Sequence, residues 1–277
     1  MTKNISRRRF LKTSAVAGVA APYFVPARLL GADAPSNQLR MASIGTGRMG
    51  HGDMQACMQE GLRASANARV VAVCDLDSKR AEHARNTILK FYADKLPDGA
   101  KPTVDVYEDY REVLARNDID GLTISLPDHQ HALIAVAAAK AGKDMYLQKP
   151  LTYTIGEGQQ LIAAVRANNV VLQTGSQQRS DAKFRQACEL VRNGRLGKLT
   201  KIRVTVPTDK GSGRDEPTDP PANLNYEAWL GPTPVVPYSE HRVHPQKDFS
   251  RPGWLQIEPY CRGMITGWGS HMFDIAQ

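Results

Sequence analysis

The chain has 277 residues, 42% hydrophobic and 23% charged, a balance that excludes a disordered or fibrous protein and leaves ample apolar material for a core. Its four cysteines, Cys57, Cys74, Cys188 and Cys261, stand far apart with no C-x-x-C pair, which excludes a disulfide-dense scaffold and a zinc ribbon. The net charge is +8, but six Lys or Arg and one acid, Asp33, fall in the first 34 residues; the remainder holds 30 basic and 27 acidic residues, and its net +3 gives no reason to invoke nucleic acid.

Residues Ser6 to Lys12 read S-R-R-R-F-L-K and lead into the weakly apolar stretch Ser14 to Val25, SAVAGVAAPYFV. This resembles a twin-arginine export signal, in which paired arginines, Phe, Leu and Lys precede an Ala- and Gly-rich region. The apolar run holds Pro22 and is short of the roughly 20 residues a spanning helix needs, so no stable membrane anchor is expected. Ala32-Asp33-Ala34 offers a small-residue cleavage site, although Pro35 after it is disfavoured. Residues 1–34 are therefore expected to be a signal peptide. The twin-arginine machinery moves folded proteins, so the destination is periplasmic or otherwise extracytoplasmic.

Beyond the polar linker Pro35 to Gln38, strand-like and helix-like segments alternate. Leu39 to Ile44 predicts a strand running into Gly45, and Arg69 to Cys74 a second one. Ser78 to Lys95 is a helix with Ala81, Ala84, Ile88 and Phe91 or Tyr92 at helical spacing. A short helix over Tyr107 to Arg116, a buried strand at Leu122 to Leu126 and an Ala-rich helix from His129 to Ala141, closed by Gly142, follow. Met145 to Leu147, Ile155 to Asn168 and Val170 to Thr174 continue as strand, helix and strand. The alternation predicts an α/β domain over 35–175 with a doubly wound parallel sheet of the Rossmann type.

After Gly175 the character changes. A helix over Ser180 to Asn193 and a long alternating strand at Leu199 to Val206 precede a loop-rich stretch with nine prolines between Pro207 and Pro252, and a last helix begins near His271. Residues 176–277 are expected to be a second α/β domain with an open, mostly antiparallel sheet, incomplete at its C-terminal end.

Gly45-Thr46-Gly47-Arg48-Met49-Gly50 is G-x-G-x-x-G directly after a strand and before a helical pattern, with Asp75 closing the next strand. The first glycine permits a tight turn, the second lets the backbone approach a diphosphate, and the third allows close helix packing. Asp75 can accept hydrogen bonds from the adenosine ribose hydroxyls and would repel a 2′-phosphate, so NAD is favoured over NADP. Lys79 and Arg80 could soften that preference or could be solvated helix residues. Asp128, His129 and His131 do not share a helix face and have no cysteine nearby, so no metal site is expected.

Together these residues resemble the Gfo/Idh/MocA oxidoreductase family, named for glucose-fructose oxidoreductase and inositol dehydrogenase. The matching pieces are Gly45 to Gly50, Val73-Cys74-Asp75, Leu126-Pro127-Asp128-His129-Gln130-His131, Gln148-Lys149-Pro150 and Gly267-Trp268-Gly269-Ser270-His271-Met272-Phe273-Asp274. The resemblance implies that Lys149, in the family's E-K-P position, lies beside the nicotinamide and the reacting hydroxyl, and that His271 is the catalytic acid or base. It implies that Pro127 and His131 line the nicotinamide pocket. Two departures stand out: Gln148 replaces the family glutamate, and Gly267 stands where the family has the aspartate that orients the histidine. Gln148 removes a negative charge, so Lys149 is expected to lose its proton more easily than in relatives.

Arg179, Trp268 and Asp274 are candidate substrate contacts. Trp268 and Tyr260 could stack on a sugar ring or be core, and Asp274 could meet His271 or a sugar hydroxyl or cap a helix. The resemblance implies hydride transfer between a nicotinamide cofactor, NAD with NADP as the alternative, and a secondary hydroxyl of a sugar, glycoside or polyol; export implies that this cofactor is tightly bound. It also permits net glycoside hydrolysis through transient oxidation, or an inactive sugar-binding relative. Association of copies through the open sheet is a further family expectation.

Overall fold

Six strands form one parallel sheet: β1 (Leu39–Ile44), β2 (Ala68–Cys74), β3 (Asp105–Tyr107), β4 (Gly121–Ile124), β5 (Asp144–Gln148) and β6 (Leu172–Gly175), in the order β3-β2-β1-β4-β5-β6. The computed structural model describes residues 37–63, 65–97, 101–208 and 216–277, so the leader expected over 1–34 lies outside the described residues. The strand order reverses between β1 and β4, which creates a crevice at their carboxyl ends.

Five helices cover the sheet: α1 (Arg48–Gly61), α2 (Ser78–Lys95), α3 (Tyr110–Leu114), α4 (Asp128–Lys140) and α5 (Ile155–Asn168). One face packs Met54, Met58, Val70, Val73, Ile88 and Tyr92, and the other packs Ile44, Leu122, Ile124, Ile134, Leu147 and Leu161. Every residue of β2 and β4 is buried, as helices on both faces require. The helices start at local signals: Asp77 accepts from the Lys79 and Arg80 amides to cap α2, and Thr154 and Glu157 form a reciprocal capping box on α5.

The predicted elements recur within a few residues, with two differences. The helix expected over Tyr107 to Arg116 shortens to α3, and Tyr107 instead ends a strand that carried no sequence assignment at Asp105 and Val106 and that pairs with β2 at the edge of the sheet. The strand expected at Leu199 to Val206 does not form. These residues are neither helix nor strand, because no strand among the described residues offers their backbone a partner, and Leu199 and Ile202 are exposed. No strand follows β6 among the described residues, so the antiparallel sheet expected over 176–277 is not seen there.

That region instead holds a 3-10 turn at Gln177–Ser180, α6 (Ala182–Arg192), α7 (Tyr226–Leu230), a second 3-10 turn at Gly253–Gln256, α8 (Met264–Gly267) and α9 (Gly269–Ala276). Leu224, Trp229, Leu230, Tyr238, Val243 and Tyr260 form a third core, against which Leu76 packs from just beyond β2. This core stands at the sheet's carboxyl edge and brings the later chain to the ligand side of the parallel sheet.

Candidate active site

The carboxyl ends of β1, β2, β4 and β5 deliver the glycine loop, Asp75, Leu126-Pro127 and Lys149 to one edge. Gly45 has φ +81°, and a side chain there would collide with the Ser125 carbonyl; one at Gly50 would collide with the carbonyl of Gly45. Gly47 begins α1 without a side-chain cap, which leaves amide donors of the first turn for an anion. The Asp75 carboxylate faces this loop. It accepts from the Thr46 amide at 2.7 Å and hydroxyl at 2.9 Å, and from the Asp77 amide at 2.9 Å.

A cavity of about 540 Å³ runs from the loop to Lys149. Gly45, Gly47, Arg48, Met49, Asp75, Pro127 and Lys149 line it, and Asn225, Trp229, His244 and Trp254 close it from the later chain. These residues fit a nicotinamide dinucleotide: Gly45 and Gly50 allow the tight turn and the close helix packing, Gly47 leaves the loop backbone open to a ligand, the uncapped helix end suits a diphosphate, and Asp75 suits ribose hydroxyls.

The later chain is fastened at the Asp75 end through Asp77. This buried carboxylate accepts from Asn223 Nδ2 at 2.7 Å and Gln246 Nε2 at 3.0 Å, and His244 Nε2 lies at 2.8 Å. Those three partners hold its carboxyl well below the usual range, although burial alone would raise it. Lys79 is exposed as a solvated helix residue would be, but Arg80 is not. Its buried guanidinium donates to the carbonyls of Pro245 and Asp248, stacks on Phe249 at 4.7 Å and borders the cavity.

At the other end, burial pulls the Lys149 ammonium down from its usual value, and Asp128, Cys261 and Asp53 push it back up. Gln148 donates through Nε2 to both oxygens of Asp53, which also accepts from the Ser125 hydroxyl at 2.7 Å. A negative charge thus remains near Lys149 on Asp53 despite the amide at position 148. His271 is buried and does not border the cavity; burial, followed by the Lys149 charge, lowers its pKa. His271 Nδ1 has no hydrogen-bond partner.

His131 stands apart from the expected pocket lining. It is buried behind the wall, where Nε2 accepts from the Leu126 amide at 3.2 Å and Nδ1 lies 2.6 Å from the Pro150 carbonyl. Asp128, His129 and His131 diverge, with His129 Nε2 against the Trp229 carbonyl at 2.9 Å. Arg179 and Asp274 pair with each other through two hydrogen bonds, joining the 3-10 turn after β6 to α9, and neither borders the cavity. Trp268 is 42% exposed and meets His271 edge-on, whereas Tyr260 is core, packed on Trp229 and His129.

Sequence reasoning missed Asp53, Asp77, Asn225, His244 and Cys261. None belongs to a short motif. Asp53 sits within α1 and finds Gln148 only when β5 arrives, and the partners of Asp77 come from far along the chain.

Residues 39–176 match the model described as oxidoreductase family, NAD-binding Rossmann fold, and 181–277 match that of the same family's C-terminal α/β domain. Residues 4–21 match a twin-arginine translocation signal. The myo-inositol 2-dehydrogenase of Thermotoga maritima is 27% identical over 167 residues, which is 60% of this chain and 45% of that protein. The inositol 2-dehydrogenase of Salmonella typhimurium is 30% identical over 164 residues, 57% of this chain and 43% of its own. The chain thus spans under half the length of these curated relatives. Levoglucosan dehydrogenase in complex with NADH superposes with a TM-score of 0.60 at 21% identity, over 86% of this chain and 53% of that one, a likeness of fold. With family models matched on both sides of Gly175–Asp181 and the parallel order β3-β2-β1-β4-β5-β6 in place, the chain belongs to the Gfo/Idh/MocA family of NAD-binding oxidoreductases.

Proposed function

We propose that the protein is an exported NAD-dependent oxidoreductase that moves hydride between a retained nicotinamide dinucleotide and a secondary hydroxyl of a sugar, glycoside or polyol. The observation that carries this reading is the continuous cavity from the glycine loop to Lys149, closed over by residues of the later chain. Residues 1–34 are assigned to the export signal, 35–175 to dinucleotide binding and 176–277 to the substrate side. The twin-arginine match supports a periplasmic or extracytoplasmic destination, and no helix among the described residues is long and apolar enough to cross a membrane.

The dinucleotide, when bound, supplies a hydride acceptor for the hydrogen leaving carbon. Gly45, Gly47, Arg48, Met49 and Gly50 cradle its diphosphate through backbone amides, and Asp75 takes the ribose hydroxyls. Pro127 forms part of the nicotinamide wall, and His131 holds that wall from behind. Lys149 polarises the substrate oxygen by donating to it, and His271 accepts the hydroxyl proton. Trp268 offers an exposed ring to a sugar face, and the Arg179–Asp274 pair, outside the cavity, is a further candidate substrate contact.

Free NAD is scarce outside the cytosol, so an exported enzyme of this kind works best with a cofactor that stays bound and is recycled by a second substrate. The bonds around Asp77 support retention. The test is purification of the exported protein followed by spectroscopy for bound nicotinamide, then a panel of inositols and sugars monitored by nicotinamide absorbance. Bound nucleotide reduced by at least one polyol or sugar is expected. Absence of bound nucleotide, with activity only on added NAD, overturns retention; a Lys149→Ala protein with undiminished turnover overturns the site.

A further inference from the structure

Asp128 opens α4 and is 2% exposed, yet its Oδ2 has no hydrogen-bond partner. An ionised carboxylate in such a place needs a counter-charge. Its neighbour Pro127 borders the cavity, as does Lys149. His131, one turn further along α4, bonds the carbonyl of Pro150, which fastens the helix start beside the Lys149–Pro150 turn. Among the groups that hold Lys149 protonated, Asp128 acts most strongly. Asp53 is engaged through both oxygens with Ser125 and Gln148, whereas Asp128 accepts from the Cys261 thiol and the Arg262 amide and still keeps Oδ2 unpartnered; the Cys261 thiol is pushed up to about 12 by burial and so stays neutral.

We propose that Asp128 is a positioning residue, the buried counter-charge that keeps Lys149 an ammonium at the cavity wall now that position 148 carries an amide. The inference rests on the reading of Lys149 as the group that polarises the substrate oxygen. The groups facing this pair come from five places: Asp53 on α1, neutral His131 on α4, Tyr153 after β5, the Cys261 thiol with the Arg262 backbone, and His271 on α9. Only Asp53 and Asp128 bring negative charge at neutral pH, and Asp128 is the one without a hydrogen-bonding task on Oδ2. Burial pushes its own carboxyl up to about 6, so the pair is ionised at neutral pH and weakens in acid.

The test reads the Lys149 amine directly, by competitive acetylation of the purified full chain with acetic anhydride across pH and mass spectrometry of the Lys149 peptide. Asp128→Asn moves the labelling midpoint of Lys149 to lower pH, and Asp128→Glu returns it toward the wild-type value. Turnover of the holoenzyme falls on the order of 100-fold in Asp128→Asn and recovers in Asp128→Glu. An unchanged midpoint in Asp128→Asn overturns the inference. Should that variant not fold, Lys149→Met gives the reciprocal reading: the Asp128 carboxyl, followed by its carbon-13 resonance, titrates at higher pH without the ammonium, and an unmoved titration overturns the inference equally. Lys149→Ala separates the two claims. Intact turnover in it defeats the reading of the site and this inference with it; lost turnover with an Asp128-independent midpoint defeats this inference alone.

Discussion

Gln148 and Asp53 form a two-point contact in which the Gln148 amide nitrogen lies 3.1 and 2.9 Å from the two oxygens of Asp53, 95 positions earlier in the chain. The amide explains how a half-buried carboxylate is tolerated on α1. Burial raises the Asp53 pKa, and the Ser125 and Gln148 hydrogen bonds oppose that rise. Gln148→Glu replaces the donor by a second carboxylate. The variant is expected to lose about 1–3 kcal/mol of stability, the cost of an unsatisfied buried polar group, measured by urea unfolding at neutral pH. Adding Asp53→Asn restores a donor and an acceptor in exchanged positions, so the double variant should be more stable than Gln148→Glu alone; strict additivity of the two losses would contradict the contact.

His131 makes stability depend on acid in a defined window. Its pKa is lowered to about 4, by burial first and then by the Lys149 charge, against an ordinary value of 6.5. A histidine whose folded pKa is depressed adds stability that is complete above pH 6.5 and lost as pH falls toward the folded value. The stake is about 3 kcal/mol at one pKa unit per 1.4 kcal/mol. Asp128 acts in the opposite direction, because its carboxyl is raised to about 6 and gains its proton more readily in the folded state. The effect must therefore be read as the difference between wild type and His131→Gln in urea unfolding from pH 7 to 4. That difference is expected to shrink on acidification.

The Asp77 contacts predict how long the dinucleotide stays. Asp77→Asn keeps a side chain able to cap α2 but removes the charge that meets His244, Gln246 and Arg80. The charge-assisted bonds lost here are worth roughly 1.5–3 kcal/mol each. Release of NADH from the holoenzyme, followed by its fluorescence after dilution into excess NAD, is expected to accelerate at least tenfold. Unaltered release would show that the later chain does not control cofactor exit.

Much of this was readable before the structure, and the boundary follows the range of the interactions. The glycine loop, the strands either side of it and the α5 capping box are written within windows of a few residues. β3 escaped notice because Asp105-Val106-Tyr107 shows one aliphatic residue and takes its strand character from pairing with β2. Leu199 to Val206 has the opposite fault: its alternation is plain, but a strand is made by a neighbour. The polar hubs at Asp53 and Asp77 were illegible for a third reason. Each is an unremarkable acid near a helix start with side-chain partners that arrive from tens to more than a hundred residues away. Asp128 was legible as a motif residue, but its meeting with Lys149 and Cys261 was not. The motif residues Arg179 and Asp274 were each legible, but their mutual pairing was not.

Gly267 leaves a space that a carboxylate could use. A Cβ added there meets nothing within 4 Å, and the residue does not have positive φ. Trp268 links α8 to α9 with helical φ −79° and ψ −35°, so positions 267 and 271 are one turn apart on the same side. His271 Nδ1, one turn on, is buried and without a hydrogen-bond partner. Burial and the Lys149 charge now lower the His271 pKa, and Asp274 alone opposes them. Gly267→Asp adds a second opposing charge and fixes the ring by a hydrogen bond. The acid limb of the turnover profile, set by protonation of the base, is expected to move to higher pH, with turnover above that limb rising several-fold, on the scale of one added charge-assisted hydrogen bond. Gly267→Ala fills the same space without charge and should leave the limb where it stands; an equal shift in both variants would mean that packing, not the carboxylate, tunes His271.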